Sequence, residues 1–223
     1  MNREVIATKD GSHTIAIADM QVTYHSVHGA IQESRHVFIE AGFTYVRNQL
    51  PHQPICIFEM GFGTGLNALL TAIEAEQTQT PIFYTAIEQY PLTANEYAHL
   101  NYCCLLNCNE GLLQQMHDCP WNEAVKITPF FTLQKIQNSL IHYQTVQRFH
   151  LIYYDAFAPS AQPELWTQTV FEKLHQRLHT NGILVTYCSK GDVRRAMTAA
   201  GFSVTKLPGP PGKREMVRGN RPL

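Results

Sequence analysis

Apolar and polar residues alternate along "EVIATKDGSHTIAIADMQVTYHS", and Asp10-Gly11 lies inside the alternation. A period of two on both sides of an Asp-Gly pair predicts a β-hairpin. The period lengthens in "ESRHVFIEAGFTYVRNQL". There Val37, Phe38, Ala41, Tyr45, Val46 and Leu50 recur at helical spacing, and Pro51 and Pro54 end the run. Downstream, "ICIFEM", "IFYTAIE", "AVKITPFF", "FHLIYYDAF" and "GILVTYC" predict buried strands. Between them, "GLNALLTAIEAE", "LTANEYAHLNYCCLL", "LQKIQNSL", "QPELWTQTVFEKLHQRL" and "KGDVRRAMTAA" predict helices, with Pro163 suited to a first helical turn. Residues 109–125 read as a helix followed by a loop. "FSVTKL" and "KREMVR", joined through "PGPPG", predict a closing antiparallel pair. Apolar strands separated by helices imply an α/β fold, its mainly parallel sheet covered on both faces and ending in an antiparallel edge. Residues 1–50 form an expected hairpin-and-helix appendage, and 51–223 the main domain.

Composition narrows the function. At 223 residues one domain is the default, and a formal charge of −1 leaves any nucleic-acid binding to a local basic patch. Such a patch is visible. Of 17 Lys and Arg, Lys190, Arg194, Arg195, Lys206, Lys213, Arg214, Arg218 and Arg221 fall in the last 34 residues. No apolar run approaches the roughly 18 residues of a membrane helix, and "MNREVIATKDG" lacks a signal-peptide core. The expected location is the cytoplasm. Cys103, Cys104, Cys108 and Cys119 cluster around His117 without paired zinc knuckles, so they read as reduced thiols and no metal is expected.

The candidate chemistry starts at "IFEMGFGTGLNALL". A dinucleotide fingerprint needs glycine at the sixth position counted from Gly61, where Leu66 stands; a phosphate-gripping loop needs a lysine that is missing. What remains is Glu59-x-Gly61-x-Gly63-x-Gly65. The acid repels a pyrophosphate and suits a cationic ligand. S-adenosylmethionine carries a sulfonium and an amino group and no phosphate, and glycines let the backbone approach it closely. Glu88 ends the second strand, where a carboxylate can accept from two ribose hydroxyls. Phe62 and Asn67 belong to the same loop and the helix that follows it. Asp155, at the end of "FHLIYYD", can orient a nucleophile or take its proton, and Ser160 is the better helix cap nearby. Phe130 and Phe131 read as core.

"YHSVHGAIQESRHVFIEAGF", "EMGFGTGLNAL", "YYDAFAPSAQPELWTQTVF", "LVTYCSKGDVRRAM" and "LPGPPGKREM" together resemble the methyltransferase domain of the tRNA 5-methylaminomethyl-2-thiouridine biosynthesis (MnmC) family over nearly the whole chain. "DAFAP" with "ELW", and "GPPGKREM", are its most specific stretches. The resemblance implies a Rossmann-like S-adenosylmethionine-dependent methyltransferase. The implied reaction is N-methylation of 5-aminomethyl-2-thiouridine at the tRNA wobble position. It also implies the stand-alone (MnmD-like) form, with the FAD-dependent oxidase of bifunctional members expected as a separate partner. Glu59, Gly61, Phe62, Gly63, Gly65, Asn67 and Glu88 would hold the cofactor, and Asp155 would serve the amine. Phe157, Lys190, Arg194, Arg195, Lys213 and Arg214 would meet the substrate. An acid after the third strand often holds adenine in this fold, and "ITPFFTLQK" has none. Tyr24, Ser26, Glu33 and Ser34 are polar in a well-patterned segment and would line the mouth. Competing readings are transfer to a small amine, an aminopropyltransferase, or a silent tRNA-binding partner of an oxidase.

Overall fold

The computed structural model describes residues 2–223. Strands β1 (Arg3–Ala7) and β2 (His13–Ile17) pair antiparallel around the Asp10-Gly11 turn, and the short β3 (Val22–Thr23) adds to β2. Asp10 fixes the turn by accepting from the Ser12 amide at 3.0 Å and the Thr8 hydroxyl at 2.7 Å. A helix starts at Ala30–Ser34, continues through wide π-type turns over Arg35–Thr44, and ends in Tyr45–Gln49. Its apolar side, with Val37, Phe38, Phe43 and Val46, shares one hydrophobic core with Ile57, Tyr153 and Val185 of the main sheet. Gly42 permits the contact, because a Cβ there would stand 3.1 Å from both Tyr153 and Val185.

The main sheet contains β4 (Ile55–Met60), β5 (Ile82–Glu88), β6 (Ala124–Thr128), β7 (Phe131–Gln137), β8 (Phe149–Tyr154), β9 (Leu178–Thr186), β10 (Ser203–Pro208) and β11 (Glu215–Asn220). Their order is β10-β11-β9-β8-β4-β5-β7-β6. The five strands β9, β8, β4, β5 and β7 are parallel, and β10, β11 and β6 are antiparallel to their neighbours. The sheet therefore carries an antiparallel edge on both sides. Succession runs outward in one direction from β4 to β5 and β7, and in the other from β8 to β9. The crevice at that reversal is where open α/β sheets bind ligands.

One expected helix is a strand. "LQKIQNSL" lies mainly in β7, which pairs with β5 from Ile82↔Phe131 to Glu88↔Gln137. Phe131, Leu133 and Lys135 point to one buried face, and all three are fully enclosed. Lys135 hides the alternation. Its ammonium donates to the His117 carbonyl at 2.5 Å and stands 4.5 Å from the Trp121 ring centroid. The third parallel strand thus ends at Gln137, and Asn138 follows it. Phe131 is core, its ring tilted 40° to that of Tyr84 with centroids 5.3 Å apart, and Phe130 is half-buried against the same cluster. Two expected helices are also interrupted. "LTANEYAHLNYCCLL" splits into Ala94–Tyr97 and Tyr102–Leu106. "QPELWTQTVFEKLHQRL" breaks at Thr167, whose hydroxyl caps Gln168–Arg177 by accepting from the Val170 amide.

Candidate active site

The carboxyl ends of β4, β5 and β8 open on a cavity of about 490 Å³. The backbone Gly61–Gly65 turns tightly above β4. The Gly61 and Phe62 amides both donate to the Ile87 carbonyl, which staples the loop to the end of β5. Gly63 has φ +50°, and its amide donates to Glu88 Oε2 at 3.0 Å. Glu88 Oε1 accepts from the Tyr90 amide at 2.8 Å, so one carboxylate orders both loops. Phe62 turns its ring inward, edge-on to His117 and Trp121, and reaches the cavity only in part.

Under the loop, one amide joins two acids. Asn67 Nδ2 donates to Glu59 Oε1 at 3.0 Å and to Asp155 Oδ2 at 2.9 Å. Both hydrogens of that nitrogen are spent, one on each carboxylate. Asn67 is on the first turn of Leu66–Thr78, which is why a residue eight positions from Glu59 reaches it. Glu59 Oε2 and Asn67 Oδ1 are buried and have no partner. Burial drives the Glu59 carboxyl well above the ordinary carboxylate range, with the Asp155 charge adding to the effect. Burial likewise pushes Asp155 up to about 7, reinforced by Glu33 and opposed by the Asn67 bond and Lys213.

Unpaired buried acceptors are costly unless a ligand supplies donors. A ligand bearing an ammonium supplies them here. The site therefore fits the cationic amino-acid end of S-adenosyl-L-methionine. Glu88 lies at the end of β5, where a ribose would meet it.

The N-terminal segment roofs the loop. A Cβ on Gly63 would stand 2.8 Å from the Tyr24 ring, so the close approach there is to Tyr24. His25 Nε2 pairs with Thr64 Oγ1 at 2.7 Å, and burial lowers the imidazole to about 4, which keeps it neutral. Tyr24 also meets Phe157 edge-on, with centroids 5.1 Å apart, so the roof and the "DAFAP" turn face each other across the mouth. Ser34 is core, whereas Glu33 accepts from the Ser26 amide at 2.8 Å and pairs with Lys213. Arg3, His25, Asn138, Ser139, Ile141, His142, Gln162 and Glu164 also line the cavity. Reading 133–140 as a helix hid the Asn138–His142 group. Correct placement of β7 would have exposed it, because the chain after Gln137 must turn at the crevice.

The other basic residues lie farther out. Lys190 precedes the helix Gly191–Ala199, Arg194 Nε donates to the Ser189 carbonyl, and Arg195 pairs with Asp192. Lys190, Arg195 and Arg214 are exposed. Among the described residues no group of three His, Cys, Asp or Glu could hold a metal, and no helix is long and apolar enough to cross a membrane.

Comparison with known proteins follows the same lines. A profile of an S-adenosyl-L-methionine-dependent methyltransferase family matches residues 111–222. The tRNA 5-methylaminomethyl-2-thiouridine biosynthesis bifunctional protein MnmC of Cupriavidus metallidurans is 32% identical over 208 residues, covering 87% of this chain and 30% of that protein. The protein of the same name from Magnetococcus marinus is 32% identical over 216 residues, covering 89% of this chain and 31% of its own length. The chain spans about a third of the length of these curated relatives. Among solved structures, MNMC2 from Aquifex aeolicus matches with a TM-score of 0.77 at 22% identity, covering 98% of this chain and 70% of that one. The sugar N-methyltransferase KedS8 from Streptoalloteichus matches with a TM-score of 0.50 at 12% identity, covering 86% and 87%. Both structural likenesses speak to the fold, a Rossmann-like methyltransferase sheet.

Proposed function

The chain belongs to the S-adenosyl-L-methionine-dependent methyltransferases, and from that premise we propose that it N-methylates 5-aminomethyl-2-thiouridine at the wobble position of tRNA. S-adenosyl-L-methionine supplies an electrophilic methyl on a positive sulfur. Glu59, Asn67, the Gly61–Gly65 backbone and Glu88 would hold it. The observation that carries the reading is the bond from Asn67 to Asp155, which couples the cofactor floor to the acceptor side of one cavity.

An acceptor amine must present a free lone pair, so an ammonium has to lose a proton first. Asp155, with its proton affinity raised to about 7, can take that proton near neutral pH. In-line transfer needs donor and acceptor held at roughly 3–3.5 Å. Phe157 and Tyr24 flank the mouth and offer aromatic faces to a base splayed out of its loop. Lys190, Arg194, Arg195 and Arg214 supply cations for the RNA backbone on the edge where β9 ends. The proposal includes an FAD-dependent oxidase as a partner in the same modification and a cytoplasmic location.

Incubation with methyl-labelled cofactor and either undermodified tRNA or free amines tests the reading. Label in the wobble nucleoside after digestion is the expected result. Label in a small amine and none in tRNA overturns it.

A further inference from the structure

Lys213 was expected among the RNA contacts, and its surroundings are unlike those of a phosphate-seeking lysine. It sits in the turn between β10 and β11, which closes on itself through the Gly209 amide to the Arg214 carbonyl at 3.1 Å. The Lys213 ammonium bonds to Glu33 Oε1, and the two side chains are only 31% and 8% exposed. The same ammonium stands 3.8 Å from the Tyr187 ring centroid. It is therefore held by a carboxylate on one side and an aromatic face on the other. Removing the cation would strand a nearly buried Glu33.

Both partners lead to the reacting end of the site. The Tyr187 hydroxyl donates to the carbonyl of Ala156, the residue after Asp155, at 2.8 Å. Glu33 binds the Ser26 amide, two residues from Tyr24. We propose that Lys213 is a positioning residue for Asp155, acting through Glu33 and Tyr187, and is no contact of the RNA backbone. The inference rests on Asp155 as the group that serves the acceptor amine.

The electrical side runs alongside these contacts. Asn67 bonds Asp155 directly, and the charged and titratable groups that act on it through space are Glu59 on the cofactor side, Tyr84 from β5, Glu33 from the long helix, Tyr187 after β9, and Lys213. Among these, Glu33 raises the Asp155 carboxyl and Lys213 lowers it. Each offsets the other only while they stay paired.

The test titrates Asp155 by carbon-13 NMR of its carboxyl in the full chain without cofactor or RNA, with the resonance assigned through D155N. Lys213→Met should move the titration to higher pH, and Glu33→Gln to lower pH. Each shift should be on the order of half a unit to one unit, below the 1–3 units of a charge in direct contact. The double variant should titrate near the native pH. Tyr187→Phe should leave that titration and the affinity for S-adenosyl-L-methionine unchanged and slow methyl transfer. In all of these variants tRNA affinity should stay within about twofold at fixed salt.

Native titration in both single variants overturns the inference. So does a K213M protein that binds tRNA at least tenfold more weakly with a salt slope reduced by about one, the mark of a lost phosphate contact. If K213M does not fold, the E33Q protein and the double variant decide by the same titration. Should wild type fail to methylate tRNA while the opposite shifts persist, the substrate reading fails and the positioning role stands.

Discussion

A single amide nitrogen, Asn67 Nδ2, holds two carboxylates that burial makes reluctant to ionise. Their cost to folding has a definite sign. A carboxyl whose folded pKa is raised stabilises the fold fully below its unfolded pKa, and that contribution is lost as pH rises through the folded value. For Asp155 the window runs from 3.8 to about 7. Asp155→Asn should therefore melt at a higher temperature than wild type at pH 8, and the gap should close toward pH 4. Equal melting temperatures at pH 8 would show that the site is not strained by its charge. Glu59→Gln should behave in the same direction while weakening S-adenosyl-L-methionine binding, as calorimetry would register. In turnover, Asp155→Asn should lose roughly 10²–10⁴-fold if the residue acts as a general base. Raising the pH should return part of that rate, because more of the amine is already neutral. Wild-type turnover in this variant would remove Asp155 from the chemistry. Glu59, Glu88 and Asp155 could be read from the sequence because each ends an apolar run. The partnerless Oε2 of Glu59 could not, since it depends on which way Asn67 turns.

The glycine loop and the N-terminal roof form one functional element. Gly63→Ala puts a Cβ against the Tyr24 ring and a non-glycine residue at φ +50°, the latter costing roughly 1–2 kcal/mol. Cofactor affinity should fall, and adding Tyr24→Ala should recover the part due to the collision, leaving the backbone part. No recovery in the double variant would mean that the roof does not press on the loop. Most elements were legible because their periods were clean. Strands β4 and β5 begin and end where their apolar runs do. β7 was not legible, and Lys135 is the reason. A polar residue at an inward position breaks a period of two, so Leu133, Ile136 and Leu140 were left at helical spacing. The tertiary contacts that make the lysine acceptable, the His117 carbonyl and the Trp121 ring, come from the 109–125 segment, read as a helix followed by a loop with no predicted tie to this strand. That one misreading also hid the Asn138–His142 side of the cavity.

At the scale of the molecule, late basic charge is not the same as surface charge. Lys213 pairs with Glu33, Arg218 lies 3.6 Å from the Tyr45 ring centroid, and Arg221 donates to the Leu178 carbonyl at 2.6 Å. The Glu33 pairing joins positions 180 apart in the chain, which local pattern does not disclose. The proposed footprint for RNA keeps Lys190, Arg194, Arg195 and Arg214. Reversing Arg194 and Arg195 to Glu should weaken tRNA binding and flatten its salt dependence, with cofactor affinity unchanged. Unaltered tRNA affinity would place the footprint elsewhere. The small sheet β1–β3 stands outside the main one. It is tied in by Arg3 to Glu96, by the His13 amide to Asn101, and near the site by His25 to Thr64. Arg3, Ile17, Tyr24 and His25 line the same cavity, so a ligand seated against them should also hold that sheet closed. Ligand at 100 times its dissociation constant stabilises the bound state by about 2.7 kcal/mol, close to a hundredfold in an opening equilibrium. Amide hydrogens of β2 that exchange by release of the roof should slow by up to that factor when S-adenosyl-L-methionine is added, so that deuterium uptake far from the methyl group reports occupancy of the site.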